Sequence, residues 1–220
     1  MLSCGLGEAR TKEKTVCRDR DRTMTPKGDV LGKVVLDMSM SLDGFVAGPN
    51  DEPWGLHDWF FPPSGGVTAS DAEVIDESVK ITGALVIGRR AYDQGDRVDG
   101  FVDSPYKVEH FVLTYDAPEK VARGATTFIV VTDGIESGVE KARAVAGDRD
   151  VTVGGGANIA QKCLKAGLVD EMQLYLVPVL LGAGIRLFDY TGAERIKLER
   201  TGVIESPFAT HLRFRVVKED

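Results

Sequence analysis

The sequence predicts a mixed α/β protein whose central sheet has parallel crossovers, helices on both faces and an antiparallel hairpin at the end. From residue 33 to Gly167, short apolar segments alternate with segments of helical period, as parallel strands and their crossover helices do. Residues 195–205 and 210–217 then alternate between apolar and polar side chains on either side of Pro207. Two alternating segments around a turn are typical of a hairpin.

Each predicted element follows from its own pattern. Runs of apolar, β-branched residues predict strands, and apolar residues spaced three and four apart predict helices. Glycines mark the ends of these elements. Strands are predicted at residues 33–40, 84–87, 108–113, 127–131, 150–153 and 171–179, before the hairpin. Helices are predicted at residues 71–82, after Asp133, and between Ile159 and Gly167.

The first 30 residues differ from the rest of the chain. Between residues 8 and 27 there are seven Lys or Arg and four Asp or Glu, with hardly any large apolar side chain. Such a segment cannot bury enough apolar surface to offset its ordering entropy. We therefore expect residues 1–30 to form a disordered extension, or alternatively a basic tethering tail, and residues 31–220 to form one domain.

Composition limits the classes of function. A net charge of −7 argues against generic nucleic-acid binding, which requires a basic surface. No apolar run approaches the length of a membrane span. The three cysteines and three histidines have neither disulfide-framework nor metal-ligand spacing. We expect a cytoplasmic protein without a structural metal, bound to neither nucleic acid nor membrane.

A turn of three glycines, at Gly154, Gly155 and Gly156, follows the apolar run 150–153 and precedes a helical pattern. Three glycines remove every Cβ there, so another backbone or a ligand can approach closely. The first N–H groups of the helix favour an anion, for which phosphate is the natural candidate. The alternative is that the glycines serve only helix–strand packing. The turn is not a G-x-G-x-x-G motif, because Ile159 stands where the last glycine would be.

Two further turns follow predicted strands. Gly88, Arg89 and Arg90 come after strand 84–87, and residues 114–116 come after the next strand. Arginine offers a bidentate fork to phosphate, although both arginines would also suit a solvated surface. Because parallel strands end at one edge of the sheet, where ligands bind, we expect the three turns to converge on a nucleotide.

Asp43 follows the first strand in the segment Ser-Leu-Asp-Gly-Phe. A desolvated carboxyl group there would hold a proton near neutral pH or anchor a polar substrate edge. Alternatively, Asp43 is an Asx-turn residue that bonds its own backbone. The long loop of residues 49–70 carries both tryptophans, Trp54 and Trp59, whose rings would cover a flat heterocycle or fill a subunit interface.

Five segments, in this order and with these gaps, resemble the dihydrofolate reductase-like superfamily, and most closely its riboflavin-biosynthesis branch, the reductase domain of the bacterial bifunctional deaminase-reductase. They are Ser-Leu-Asp-Gly-Phe-Val-Ala-Gly, Gly-Arg-Arg-x-Tyr, Val-Leu-Thr, Gly-Gly-Gly-Ala-Asn-Ile, and the tail from Gly-Leu-Val-Asp-Glu to Pro-Val-Leu-Leu-Gly-x-Gly. The resemblance covers the chain from about residue 33 to its end. It implies a three-layer dihydrofolate reductase-like fold and NADPH as the hydride donor.

The resemblance also implies a set of site residues. The turn at residues 88–90 would hold cofactor phosphate, Thr114 and Tyr115 would lie near the adenosine end with its 2′-phosphate, and residues 154–159 would cradle the pyrophosphate. The predicted cofactor-binding residues are Ala47, Gly88, Arg89, Arg90, Tyr92, Thr114, Tyr115, Gly154, Gly155, Gly156, Ala157, Asn158 and Ile159. The predicted substrate-binding residues, with Asp43 also catalytic, are Asp43, Gly44, Phe45 and Trp54.

The resulting prediction is an NADPH-dependent reductase of a pyrimidine- or pterin-like heterocycle, similar to 5-amino-6-(5-phosphoribosylamino)uracil reductase. The alternative is a non-catalytic protein that binds or senses NADPH in the same cleft. A homodimer is expected, because the C-terminal hairpin and the aromatic loop present more apolar surface than a small monomer usually exposes.

Overall fold

The computed structural model describes residues 31–63, 65–98, 101, 104–116, 126–189 and 195–218. The predicted disordered extension, residues 1–30, lies outside the described residues. No helix in the described part of the chain is both long enough and apolar enough to cross a membrane.

Eight strands form the main sheet and two short strands pair separately. In chain order the strands are β1 (Val34–Ser41), β2 (Phe45–Ala47), β3 (Thr82–Gly88), β4 (His110–Leu113), β5 (Phe128–Val131), β6 (Asp150–Val153), β7 (Glu171–Val177), β8 (Ile185–Arg186), β9 (Lys197–Glu205) and β10 (Thr210–Val217). The main sheet has the order β5-β4-β3-β6-β1-β7-β10-β9.

Strand directions confirm the predicted fold class. All neighbouring pairs from β5 to β7 are parallel, whereas β10 runs antiparallel to both β7 and β9. The last two strands are the predicted C-terminal hairpin. A parallel sheet requires a crossover between successive strands. Described helices lie in the connections from β1 to β3, from β3 to β4, from β5 to β6 and from β6 to β7.

Helices cover both faces of the sheet. They are α1 (Ala69–Ile81), α2 (Arg89–Val98), α3 (Ile135–Ala146) and α4 (Ala157–Lys165). The main apolar core, which includes Val86, lies between the sheet and helices α3 and α4. On the opposite face, Val74 of α1 packs in one cluster with Tyr175, and Tyr92 of α2 packs in another with Ile87. The fold therefore has three layers, as predicted.

Alternation along β1 decides which side chains reach each face. Leu36 and Met38 belong to the main core. Because successive side chains of a strand point to opposite faces, Asp37 and Ser39 lie on the other face, and Asp37 is hydrogen-bonded there to Ser78 of α1. Strand β1 therefore carries a polar row on the face covered by α1.

The structure differs from the predicted turn after β3, because the chain enters helix α2 directly at Arg89. Tyr92 is the one buried side chain among the described side chains of α2, so the apolar period is too weak to predict a helix. Gly95 sits inside this helix because the ring of Phe101 occupies the space that its Cβ would need. This tertiary contact accounts for the glycine within the helix, which the local sequence pattern does not.

Candidate active site

A cleft of about 1050 Å³ opens at the carboxyl ends of β3, β4 and β6. Residues 88–90, 114–116 and 155–158 all line it. These three strands are parallel neighbours, so their carboxyl ends share one edge of the sheet. The structure therefore brings together the three turns that the sequence predicted to converge.

Helix α4 begins at Ala157 in the wall of this cleft. Its N-cap residue, Gly156, makes no side-chain cap bond, and its first turn contains no acidic residue. A Cβ placed on Gly156 would meet nothing within 4 Å, so open space adjoins the start of the helix. The first N–H groups of a helix lack intrahelical partners, and together with this space they fit an anion such as pyrophosphate.

The neighbouring glycines have a packing role. Gly155 has a φ of +73°, and a Cβ there would lie 2.6 Å from the Cβ of Ala91. A Cβ on Gly88 would lie 2.9 Å from Cγ1 of Ile159, and the Gly88 N–H donates to the Gly155 carbonyl at 3.2 Å. Gly155 therefore lets the turn before α4 approach α2, and Gly88 lets the end of β3 approach α4. The alternative that the glycines serve packing therefore applies to Gly88 and Gly155, whereas Gly156 adjoins open space.

Helix α2 places two cations at the same cleft. Arg89 and Arg90 form its first turn, which contains no acidic residue. Two cations at the positive end of a helix dipole are unfavourable unless an anion faces them. Nε of Arg89 donates to Asp93 at 2.8 Å, and Arg90 pairs with Asp51 in the loop after β2. Both guanidinium groups are thus held by partly exposed carboxylates at the edge of the cleft.

An aromatic ring and a cation meet at another part of the cleft wall. The side chain of Tyr115 is 86% exposed. Nζ of Lys162 donates to the Tyr115 hydroxyl at 3.1 Å and lies 5.2 Å from the ring centroid. Thr114 stabilises the turn at residues 114–116, because its hydroxyl donates to the Asp116 carbonyl at 2.7 Å. An exposed ring beside a cation suits a flat base that carries an anionic group.

Asp43, the predicted catalytic residue, does not line the cleft. Its carboxylate accepts hydrogen bonds from the Ser41 hydroxyl at 2.6 Å and from the backbone N–H groups of Leu181 at 3.2 Å and Gly182 at 2.8 Å. These bonds, with that from Ser41 foremost, lower the pKa of Asp43 to about 2. These bonds favour the charged form of Asp43 over a desolvated, protonated acid, and they tie the end of β1 to the loop before β8; its catalytic role stays a prediction.

Other predicted site residues also lie outside the cleft wall, namely Gly44, Phe45, Trp54, Tyr92 and Gly154. Phe45 is buried, with the guanidinium of Arg186 4.3 Å from its ring centroid. Trp54 is 46% exposed, and Tyr92 is buried in the core. The N–H of Gly154 donates within the sheet to a carbonyl of β3. The predicted residues that do line the cleft are Ala47, Gly88, Arg89, Arg90, Thr114, Tyr115, Gly155, Gly156, Ala157, Asn158 and Ile159.

The remaining part of the cleft is lined by the loop after β2 and by α1. Trp59 is the largest side chain in this part of the cleft wall and is only 4% exposed. Its Nε1 donates to the Ser39 hydroxyl at 2.9 Å, and its ring centroid lies 4.3 Å from that of Tyr175. Phe60 packs edge-on against Trp59 and also lines the cleft. The aromatic wall predicted for this loop is therefore built on Trp59 and Phe60, and Trp54 lies outside it.

Asp37 of β1 is a candidate functional residue that the sequence reasoning missed. Its Oδ2 accepts hydrogen bonds from the Tyr175 hydroxyl at 2.7 Å and the Ser78 hydroxyl at 3.2 Å, and Ser78 is also bonded to the Tyr106 hydroxyl at 3.0 Å. Burial raises the pKa of Asp37 to about 6, against the lowering effect of these hydrogen bonds. The alternation of Asp37 and Ser39 within an apolar strand was the available signal.

The donor set of the cleft fits a dinucleotide cofactor. Helix N–H groups and guanidinium groups suit phosphates, and the aromatic surfaces suit flat rings. NADPH carries both kinds of group, and open space lies beside Gly156 at the start of α4. Across the described residues, no three His, Cys, Asp or Glu side chains are grouped as metal ligands.

The sheet order, the crossover helices and the cleft at the strand ends define a dihydrofolate reductase-like α/β protein. The family model of the RibD C-terminal domain matches residues 32–208, and the chain belongs to this family. The uncharacterized protein YyaP of Bacillus subtilis (strain 168) is 28% identical over 163 residues, which cover 71% of this chain and 80% of YyaP. YwjB of the same organism, also uncharacterized, is 26% identical over 173 residues, which cover 77% of this chain and 90% of YwjB.

Solved structures share the fold at low identity. The deaminase/5-amino-6-(5-phosphoribosylamino)uracil reductase of Thermotoga maritima is 14% identical with a TM-score of 0.58, over 85% of this chain and 57% of that one. The dihydrofolate reductase of Enterococcus faecalis, solved in complex with NADP(H), is 16% identical with a TM-score of 0.54, over 86% of this chain and 98% of that one. These likenesses establish the fold.

Proposed function

We propose that the protein is an NADPH-dependent reductase that transfers a hydride to a pyrimidine- or pterin-like heterocycle. One observation carries the proposal: two helix starts, at Arg89 and Ala157, enter one cleft without an acidic residue in either first turn. Membership of the RibD C-terminal domain family and the fold shared with two reductases support the oxidoreductase class.

The cofactor pyrophosphate is assigned to the start of α4. Gly156 provides the space, and the backbone N–H groups of Ala157, Asn158 and Ile159 provide the donors. Gly88 lets the end of β3 approach α4, and Gly155 lets the turn before α4 approach α2, which brings the two helix starts to one cleft. Gly154 has no part in this assignment, because its N–H is used within the sheet.

NADPH is preferred over NADH in this proposal. Arg89 and Arg90 offer cationic donors to the 2′-phosphate that NADH lacks, and Thr114 and Tyr115 border the adenosine end. A hydrogen bond to a charged group contributes about 1.5–3 kcal/mol, which corresponds to roughly tenfold or more in affinity. Lys162, beside the Tyr115 ring, adds a further cation to this region.

The substrate is assigned to the aromatic half of the cleft. When bound, NADPH supplies a hydride to an electrophilic carbon. Trp59 and Phe60 bound that half with apolar surface, and Ala47 contributes to the same cleft from β2. Such walls exclude water from a flat ring and fix its plane.

A protein that only sensed NADPH would have no use for a titratable carboxyl group in the aromatic half of the cleft. Asp37 supplies such a group, and burial raises its pKa to about 6. Perturbed pKa values cluster at catalytic sites. This observation favours turnover over the sensing alternative.

We also infer a homodimer in the cytoplasm. Strand β9 ends the main sheet, and Leu198 and Val203 on it are partly exposed. An unpaired edge strand with exposed apolar side chains among its charged ones offers a surface for a second copy of the chain. Cys163 is a buried free thiol, which is compatible with a reducing compartment.

Titration of the purified protein with NADPH and NADH tests the cofactor assignment. We expect NADPH to bind at least about tenfold more tightly. A screen of pyrimidine and pterin heterocycles for loss of the reduced-nicotinamide absorbance then tests turnover. Equal affinity for the two cofactors contradicts the 2′-phosphate assignment, and tight NADPH binding without oxidation by any heterocycle favours the sensing alternative.

A further inference from the structure

A histidine and an aspartate form a buried pair behind the aromatic half of the cleft. Nε2 of His211 on β10 lies 2.6 Å from Oδ1 of Asp71 in the first turn of α1, and their side chains are 1% and 0% exposed. Neither residue lines the cleft. Apolar side chains of the same size would give comparable stability, so the contacts of the pair are the guide to its role.

The Asp71 carboxylate is a fixed anchor for the His211 ring. Its Oδ2 accepts a hydrogen bond from the Thr68 hydroxyl at 2.6 Å, and the Asp71 N–H donates to the same hydroxyl oxygen at 3.2 Å. Thr68 is the N-cap of α1. One carboxylate oxygen is thus held by the start of the helix, and the other oxygen holds the imidazole.

The His211 ring contacts the aromatic wall of the cleft from behind. Its centroid lies 5.0 Å from that of Trp59, with the two ring planes at 72°, and 5.4 Å from that of Tyr175, with the planes at 73°. Edge-to-face packing of this kind is favourable between aromatic rings. Trp59 and Tyr175 both line the cleft. The histidine therefore supports two rings that border the proposed substrate site.

The surroundings of His211 favour the neutral imidazole with its proton on Nε2. Burial lowers the pKa of His211 below its ordinary value, and Arg213 lowers it further, against the raising effect of Asp71. Nδ1 is buried and has no hydrogen-bond partner among the described residues. A second proton there would place an unpartnered donor in the core. The histidine therefore packs against Trp59 as an uncharged ring.

Trp59 depends on such contacts because it lies in a loop. Residues 48–61 belong to no helix or strand. The hydrogen bond from Nε1 of Trp59 to Ser39 fixes one atom of the indole but permits the ring to rotate about that atom. The contacts with His211 and Tyr175 limit that rotation. A wall that is held in place before the substrate arrives costs less ordering entropy on binding.

On the basis of the reductase function proposed above, we propose that His211 is a positioning residue for the substrate, whose ring holds Trp59 in the plane against which a flat heterocycle binds. His211 touches neither the substrate nor the cofactor, because it lies behind the cleft wall. Asp71 acts one step further away, by fixing the His211 ring. The aromatic ring at position 211, rather than its hydrogen bond, is then what substrate binding requires.

Two double variants test whether substrate binding requires that ring. Asp71→Leu/His211→Phe and Asp71→Leu/His211→Leu both replace the buried pair by apolar side chains, so neither variant leaves a buried charge unpaired. They differ only in the presence of a ring at position 211. The probe is pterin, a flat nitrogen heterocycle, and calorimetry measures its affinity without cofactor. We expect the variant with phenylalanine to bind pterin within about threefold of the wild type, and the variant with leucine to bind it about tenfold more weakly.

Two controls separate this effect from a general loss of stability. NADPH affinity should stay within about twofold in both double variants, because neither altered residue lines the cleft. Phe111→Leu makes the same ring-to-leucine change in the main core, at a position that is 1% exposed. This variant should bind pterin as the wild type does.

Tryptophan emission supplies a readout that needs no ligand. On a Trp54→Phe background, Trp59 is the one tryptophan of the chain. We expect its emission maximum to move to longer wavelength in Asp71→Leu/His211→Leu, because the indole gains contact with water, and to keep the wild-type position in Asp71→Leu/His211→Phe. Equal pterin affinity or equal emission of the two double variants overturns the proposal, as does a wild type that binds NADPH but no pterin. Absence of NADPH binding to the wild type would instead contradict the proposed function.

Discussion

The guanidinium of Arg90 pairs with the carboxylate of Asp51, so that helix α2 is tied to the loop that follows β2. Gln94 reinforces the tie by donating to the Asp51 carbonyl at 3.0 Å. Arg90 and Asp51 both line the cleft. A cofactor phosphate would therefore compete with Asp51 for the same cation.

Replacement of Asp51 by Asn should strengthen NADPH binding. The change frees Arg90 and removes a negative charge from the cleft, and we expect a gain in affinity of about two- to tenfold at low salt. The gain should shrink at high ionic strength, because these groups are partly exposed. Asp76→Asn, on the exposed side of α1, removes the same charge away from the cleft and serves as the control. Weaker NADPH binding by Asp51→Asn would show that Asp51 does not compete with the cofactor.

Arg89→Met should weaken the binding of NADPH more than the binding of NADH. Loss of a charged donor at the start of α2 is expected to weaken NADPH binding about tenfold, while NADH binding changes little. Calorimetric titration with each cofactor measures both effects. A similar loss for NADPH and NADH would assign Arg89 to the pyrophosphate, which the two cofactors share.

Asp43→Asn should affect stability rather than proton transfer. Asn keeps one acceptor oxygen and adds donors that face the N–H groups of Leu181 and Gly182, so we expect the melting temperature to fall by a few degrees at neutral pH. The pKa of Asp43 is lowered from 3.8 to about 2, so its contribution is full above about pH 4 and is lost as pH falls toward 2. The melting temperatures of wild type and variant should therefore converge at acid pH. A missing limb in the pH–rate profile of Asp43→Asn would restore its catalytic role.

The homodimer prediction is tested by a charge placed on the edge strand. Sedimentation should show the wild type as a dimer at micromolar concentration, and Val203→Glu should shift it toward monomer by introducing charge into the interface. Val145→Glu is the matched control, because Val145 on α3 and Val203 are each 43% exposed. A monomeric wild type, or equal behaviour of the two variants, would exclude β9 as the contact.

The sheet was predictable from sequence because apolar runs and helical periods are local patterns. The hydrogen-bonding environment of Asp43 was not predictable, because its partners Leu181 and Gly182 lie 138 and 139 residues further along the chain. A local pattern shows that a carboxyl group follows a strand, but not which N–H groups will surround it. The Ser41 hydroxyl is the largest cause of the lowered pKa of Asp43, and these two distant N–H groups lower it further.

Asp37 is a candidate site residue that the sequence reasoning missed. The alternation of Asp37 and Ser39 marks polar positions in an apolar strand but forms no known motif, and the environment of Asp37 is built by Ser78 on α1 and Tyr175 on β7. The three turns at the cleft, in contrast, were recognisable from glycine and arginine beside strand ends. The part of the candidate site that consists of backbone and turns could therefore be predicted from the sequence. The part that consists of strand side chains depends on tertiary packing and could not.

Asn158→Asp tests most directly whether the cofactor pyrophosphate lies at the start of α4. Asn158 is exposed in the first turn of α4 and lines the cleft, so an acidic side chain there suits the helix dipole and should leave the fold stable. The same charge would repel a pyrophosphate, and calorimetry should show NADPH affinity reduced about tenfold or more. Ala144→Asp, which adds an equal charge to the exposed surface of α3, should bind NADPH as the wild type does. An Asn158→Asp protein with unchanged melting temperature and unchanged NADPH affinity would contradict the placement of the cofactor in this cleft.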